Sequence, residues 1–319
     1  MVKEDHTPAD QMQRRDPLDD LEATGPADTL ARLGATYSTL GRAGQAIGFY
    51  QQALEGYRSE GDSRSEAETL AGLAGAFWQE QDVSSAEGAF EQAAALYRVL
   101  GMRSQEATAL NCLGLLRDQQ DDFEAAIGYY EQALAILWDE GDRLAEAATL
   151  DVIGMTQRRV GNLKTALGSH EQALAIRLQE KDPAGEAATR HAMALVYEDM
   201  GDIDRAIAYY EWALRLRGEA ADEAGEAITS YNLSRLYAHL GYLAEAERLL
   251  ARAVEIESKS NHPDLPKDEI ELAELRARLR ADQQAAMGGA PPVGPGDTTR
   301  PHQPVGFNKP VDDSPSDDR

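Results

Sequence analysis

Alanine returns every 40 residues along most of this chain. Ala46, Ala86, Ala126, Ala166, Ala206 and Ala246 hold one register position, and Ala53, Ala93, Ala133, Ala173, Ala213 and Ala253 hold another, seven residues later. Glu66-Ala67, Glu106-Ala107, Glu146-Ala147, Glu186-Ala187 and Glu226-Ala227 recur in the same frame. Six copies pass without an insertion. A repeat of this kind is built from units that cannot bury their apolar face alone and therefore stack on one another.

Each copy reads as two helices. In the third, Leu110, Leu113 and Leu116 mark the first helix, and Phe123, Ala126, Ile127, Tyr130, Ala133, Leu134 and Leu137 follow at helical spacing in the second. Gly41, Gly161, Gly201 and Gly241 stand at the turn inside a copy, where a left-handed residue is cheapest as glycine. Gln81 and Asp121 take that place in copies two and three. Gly61-Asp62 and Gly141-Asp142 break the chain between copies, and Asp182-Pro183 reads as a helix cap followed by proline at the first helical position. Ser63 and Glu66 have capping-box spacing. The alanines are expected where helices cross so closely that only a methyl group fits, and Tyr50, Phe90, Tyr130 and Tyr210 are expected to fill the space between neighbouring pairs. His170 and Leu250 replace that aromatic in copies four and six.

Leu33-Gly34, Tyr37, Ala46, Tyr50 and Ala53 stand at the spacings of a known signature, and later copies repeat them with substitutions. By these residues the chain resembles the tetratricopeptide repeat family, in the 40-residue, longer-helix variety of cell-polarity adaptors, kinesin light chain and bacterial regulators. The resemblance implies an all-α fold: a right-handed superhelical solenoid of about six helix hairpins plus a C-terminal capping helix. The expected divisions are an N-terminal arm over 1–26, repeats at 27–66, 67–106, 107–146, 147–186, 187–226 and 227–261, a capping helix over 262–284 and a Pro/Gly/Asp-rich tail over 285–319. Arm and tail are too polar and proline-rich to fold alone. Leu272, Leu275 and Leu279 form one stripe, with which the last helix closes the open end of the stack.

Charge narrows the partners. With 31 basic against 56 acidic residues the chain carries a formal net charge of −25, which opposes contact with nucleic acid or an anionic bilayer. A basic or cationic partner remains compatible. Cys112 is the single cysteine, so no intrachain disulfide forms, and it reads as a packed small residue. No apolar run reaches a membrane span, and the start lacks the apolar core of a secretory signal, so the expected compartment is the cytoplasm. No phosphate loop occurs, none of the six histidines forms a zinc-protease pair, and no Cys-x-x-Cys exists. The expectation is a protein with no catalytic residues, no metal and no cofactor.

Binding is expected on the concave side, which the first helices line in the family. The resemblance places Asn111, Asp151, His191 and Tyr231 in one row there, with Asn232 beside them as the residue that keeps the family's amide clamp. Leu115, Met155, Leu195 and Arg235 follow in another row, with Trp78 and Arg158 in a third and Arg159 adjoining it. These rows vary while the alanines do not, which fits either a groove diversified for a ligand or free drift of solvated positions. Trp78, Leu115, Met155 and Leu195 would leave apolar surface in the groove. Arg158, Arg159, Arg190 and Arg235 form either a positive strip for an acidic segment or C-terminal carboxylate, or internal pairs with Asp118, Asp151, Glu198 and Asp199. The function expected is a scaffold or adaptor gripping a segment of a protein or peptide partner. The alternative is a bacterial regulatory sensor that binds a short signalling peptide and changes superhelical pitch.

Overall fold

The computed structural model describes residues 26–260 and 262–287. Of the expected arm over 1–26 and tail over 285–319, residues 1–25 and 288–319 lie outside them. The described chain forms thirteen helices: α1 (Pro26–Thr39), α2 (Ala43–Glu60), α3 (Ser63–Gln79), α4 (Val83–Leu100), α5 (Arg103–Gln119), α6 (Phe123–Glu140), α7 (Arg143–Arg159), α8 (Leu163–Glu180), α9 (Pro183–Asp199), α10 (Ile203–Ala220), α11 (Glu223–Leu240), α12 (Leu243–Ser260) and α13 (Leu265–Met287). Each odd helix from α1 to α11 packs on the even helix that follows it, each pair stacks on the next, and α13 closes on α12. The molecule is an α-α solenoid of six hairpins with one terminal helix.

Backbone chemistry at the turns sets the helix length. A residue with positive φ occurs at every twentieth position from 41 to 241: glycine at 41, 61, 101, 141, 161, 201 and 241, and Gln81, Asp121, Lys181 and Ala221 at the others. The left-handed residue ends each helix by turning its N–H back onto the last carbonyls. The next residue opens the following helix. Asp62, Asp82, Asp122, Asp142, Asp182, Asp202 and Asp222 each accept the backbone N–H three residues ahead. Ser63 and Glu66 do not form a capping box. Asp62 caps α3, and Glu66 instead receives Arg58 Nε at 2.7 Å. Hairpins therefore begin near Ser63, Arg103, Arg143, Pro183 and Glu223, so the register boundaries at 66/67 and its equivalents fall inside the first turn of a helix.

All twelve register alanines are 0 % exposed. Facing helices come so close that even a β-carbon is excluded at some positions. A Cβ on Gly34 would lie 2.7 Å from the Tyr50 ring and one on Gly154 2.7 Å from His170, and one on Gly114 would run into Tyr130. At the far end Leu272 and Leu275 are buried against the last hairpins, Leu279 packs at their edge, and Arg276 Nε reaches Glu247 Oε1 at 2.7 Å. The terminal helix starts and stops three residues beyond the 262–284 expected of it. Among the described residues no helix is long and apolar enough to cross a membrane.

Candidate binding groove

Which side of the stack is concave follows from which helices touch across hairpins. Side chains of successive odd-numbered helices reach one another directly: Asn111 Nδ2 donates to Thr149 Oγ1 at 2.9 Å, Thr189 Oγ1 to Asp151 Oδ2 at 2.8 Å, and His191 Nδ1 lies 3.0 Å from Thr229 Oγ1. Each of these rungs spans 38 residues. A second set spans 41 residues: Gln79 to Ser38, Trp78 Nε1 to Gln119 Oε1, Arg158 to Asp199, and Asn232 to His191. Successive even-numbered helices are also joined, where the Tyr129 hydroxyl meets Glu91. α1 packs on α3 and α7 on α9, an approach that no two even-numbered helices match, so the odd-numbered helices line the inner side.

The inner rows that sequence singled out are therefore largely occupied with holding neighbours. Asp151 takes the densest load. Besides Thr189 it accepts from His170 Nδ1 at 2.8 Å and pairs with Arg177 Nη2 at 2.8 Å. His170 and Thr189 are both 0 % exposed. The two positions meet because His170 occupies, on α8, the register place that tyrosine holds elsewhere. His191 touches Asn232 Nδ2 at 3.4 Å and meets the Tyr210 ring edge-on. Burial, with Arg217 and Arg158 adding repulsion, depresses its imidazole to about 4, so it is neutral near pH 7. Tyr231 donates to Glu271 Oε2 on α13 at 3.0 Å and accepts Lys267 Nζ at 3.2 Å.

The expected apolar lining is mostly covered. Trp78 packs against the core with its N–H on Gln119, Leu115 packs on the cluster of Tyr130 and Ile153, and Leu195 packs on the C-terminal core. Met155 alone of the four is open, at 54 % exposed. The arginine strip divides as well. Arg159 pairs with Asp118 and, at 2.7 Å, with Asp121, and lies 4.8 Å over Phe123. Arg158 pairs with Asp199. Arg190 faces away from the groove: it is 1 % exposed, stacked 3.4 Å over Trp212 and paired with Glu186 at 2.9 Å. It is four residues from Glu186, on the face of α9 turned to α10, which explains its burial.

Arg235 differs. It is exposed, lies 6.0 Å from the Tyr231 ring, and forms no ion pair among the described residues. With His239 and with Arg278 of α13 it lines a cleft of about 610 Å³ that also holds Glu198 and Glu271. Glu198 is engaged by the Tyr210 hydroxyl and Glu271 by Tyr231. Sequence reasoning missed Arg278, which belongs to the terminal helix and enters the site only when α13 folds onto the stack. It also missed the threonine partners, whose signal was the recurrence of Thr149, Thr189 and Thr229 at a buried register position. Cys112 is half-buried, and burial lifts its thiol to about 11, so it is a neutral packing group at physiological pH.

The sequence profile of the family described as "Tetratricopeptide repeat" matches residues 26–98, 105–179 and 185–259, more than half the chain. No curated protein matches it by sequence. Among solved structures, the chain is similar to BtubC (BKLC) from P. vanneervenii, with TM-score 0.57, 19 % identity, and coverage of 87 % of this chain and 98 % of that one. It is similar to a Rap protein complexed with Competence and Sporulation Factor at TM-score 0.56 and 17 % identity, covering 83 % and 80 %. The apo form of RapI superposes at TM-score 0.58 and 14 % identity, covering 79 % and 88 %. At these identities the likeness concerns the fold.

Proposed function

Because the chain belongs to the tetratricopeptide repeat family, we propose that it is a non-catalytic scaffold that holds an extended segment of a protein or peptide partner along its inner face. The observation that carries this reading is the cleft where Arg235 and Arg278, free of ion pairs among the described residues, line one concave space with His239. A guanidinium on an acidic protein that spends no charge internally is suited to a partner's carboxylate, which it grips through two parallel hydrogen bonds. An acidic side chain or a C-terminal carboxylate seats there, while Met155 offers an apolar contact further up the groove. Arg158 and Arg159, paired with aspartates, set the geometry of the groove.

The test is affinity capture from native lysate with wild type and with Arg235→Glu combined with Arg278→Glu. Capture falls in the double variant while helicity and melting stay unchanged. Undiminished capture removes the cleft from the binding site. The sensor reading draws on the likeness to a Rap protein solved with Competence and Sporulation Factor. A change in radius of gyration on partner binding, read by solution scattering, separates a sensor that alters its pitch from a scaffold that does not.

A further inference from the structure

The terminal helix meets its neighbour through two carboxyl side chains. Glu257 lies in the last turn of α12 and Asp268 in the first turn of α13, 8 % and 3 % exposed. Ala227, Ile256 and the Tyr231 ring line the same recess. No backbone N–H, amine or hydroxyl reaches Glu257 Oε2 or Asp268 Oδ1. The two carboxyls hydrogen-bond each other instead. Ionised carboxylates offer only acceptors, so this bond requires one of the pair to keep a proton.

Helix polarity decides which one. The C-terminal end of α12 carries the negative end of its dipole and disfavours a carboxylate, whereas the N-terminal turn of α13 favours one. The direction of the bond agrees: it raises Glu257 and lowers Asp268, as a hydrogen bond does for its donor and its acceptor. We propose that Glu257 carries the proton and donates it to an ionised Asp268, so that α13 is pinned to α12 by an acid–carboxylate bond that weakens as pH rises. Because α13 supplies Arg278 to the cleft shared with Arg235, the pin governs how firmly that side of the cleft is held. It stands whether or not a partner segment binds there.

The groups facing the pair come from every element around it. From the segment before α13, His262 eases ionisation of Glu257 and Asp264 opposes it. From α13 itself, Lys267 favours the Asp268 carboxylate and Glu271 opposes it. From α11 comes the Tyr231 hydroxyl, which engages Lys267 and Glu271 in turn, beside the uncharged Ala224, Ala227, Ile228 and Asn232. On α12, Lys259 is spent on Glu223 and Glu255. Burial first, then Asp268, lifts Glu257 above its ordinary 4.5, and burial lifts Asp268 as well. The unfolded chain releases the Glu257 proton near 4.5, while the folded chain keeps it to higher pH. The pin therefore contributes fully below that value and fades as pH rises through the folded one. Leu272, Leu275 and the pair of Arg276 with Glu247 still hold α13, so its first turns loosen while the rest stays in place.

Amide hydrogen exchange of the full chain between about pH 5 and about pH 9 tests this, with each rate divided by the intrinsic rate at that pH and α5 as internal reference. In wild type, protection of the first turns of α13 falls about tenfold or more relative to α5, the loss of one charge-assisted hydrogen bond. Glu257→Gln donates to Asp268 from its amide at every pH, so α13 stays protected and the fall disappears. Asp268→Asn reverses the donor against both helix dipoles and protects α13 less than Glu257→Gln does. His262→Gln leaves the fall in place. Protection that tracks α5 throughout in wild type overturns the inference, as does a fall that persists in Glu257→Gln. Loss of the fall in His262→Gln overturns it too, because the imidazole would then be the titrating group. Equal protection in the two amide variants removes the proton from Glu257.

Discussion

Asp151 on α7 accepts the hydroxyl of Thr189 on α9 at 2.8 Å, across 38 residues of sequence, while its other oxygen takes the proton of His170 on α8. Arg177 completes the set. One carboxylate thus ties three helices of two hairpins together at the middle of the stack. Removing one partner of a buried charge network strands the rest, so Asp151→Ala destabilises by about 3 kcal/mol. Urea unfolding of the variant measures it, and a loss below about 1 kcal/mol would show the network to be slack.

Two glycines inside helices answer in opposite directions. A Cβ on Gly114 meets the Tyr130 ring, whereas one on Gly128 meets nothing within 4 Å. Gly114→Ala therefore lowers stability by about 1–3 kcal/mol through overpacking. Gly128→Ala raises it by up to about 1 kcal/mol, because alanine stiffens the unfolded chain. Paired melts of the two variants decide, and equal signs would contradict the packing described.

The non-glycine residues at left-handed turns carry avoidable strain. Ala221 has φ 53° at the end of α10, a position where glycine stands in seven of its equivalents. Ala221→Gly gains about 1 kcal/mol, because a Cβ in the left-handed region crowds the following carbonyl. Asp121→Gly gains less, since aspartate tolerates that region better. Denaturation midpoints rank the two.

His191 makes the fold sensitive to acid. Its folded-state value near 4 lies below the ordinary 6.5, so the unfolded chain binds the proton more readily. Its contribution is whole above pH 6.5 and fades as pH falls toward 4. The loss amounts to about 2–3 kcal/mol by linkage. The difference in urea stability between wild type and His191→Gln should shrink by that amount from pH 7 to pH 4. A difference that stays constant would mean the imidazole is not depressed.

The stack was legible in the sequence because its cause is steric and local. A methyl group that must fit between two helices leaves an alanine at the same place in every copy, and all twelve are buried. Asp182 was readable as a cap because proline follows it. The cap at Asp62 was obscured by a serine one residue later, and only the structure shows Glu66 drawn to Arg58. The groove was half legible. The family resemblance placed Asn111, Asp151 and His191 on the inner face of the first helices, but nothing within one copy shows that each bonds to the copy beside it. Arg190 was misplaced because its aromatic partner, Trp212, sits on another helix, and Arg278 was invisible until the terminal helix folded back onto Arg235's side.

The rungs that span 38 residues are unevenly distributed. Position 111 and its successors carry polar groups, but Ala31 and Ala71 stand at the same register near the start, and Ala109 replaces the threonine there. The front hairpins are tied by Gln79 to Ser38 and Trp78 to Gln119 alone of the side-chain rungs, whereas the rear ones carry the 38-residue set as well. The stack thus has a lightly tied end and a heavily tied end, and the cleft of Arg235 and Arg278 lies at the heavily tied one. A guest seated there meets a surface already set in place.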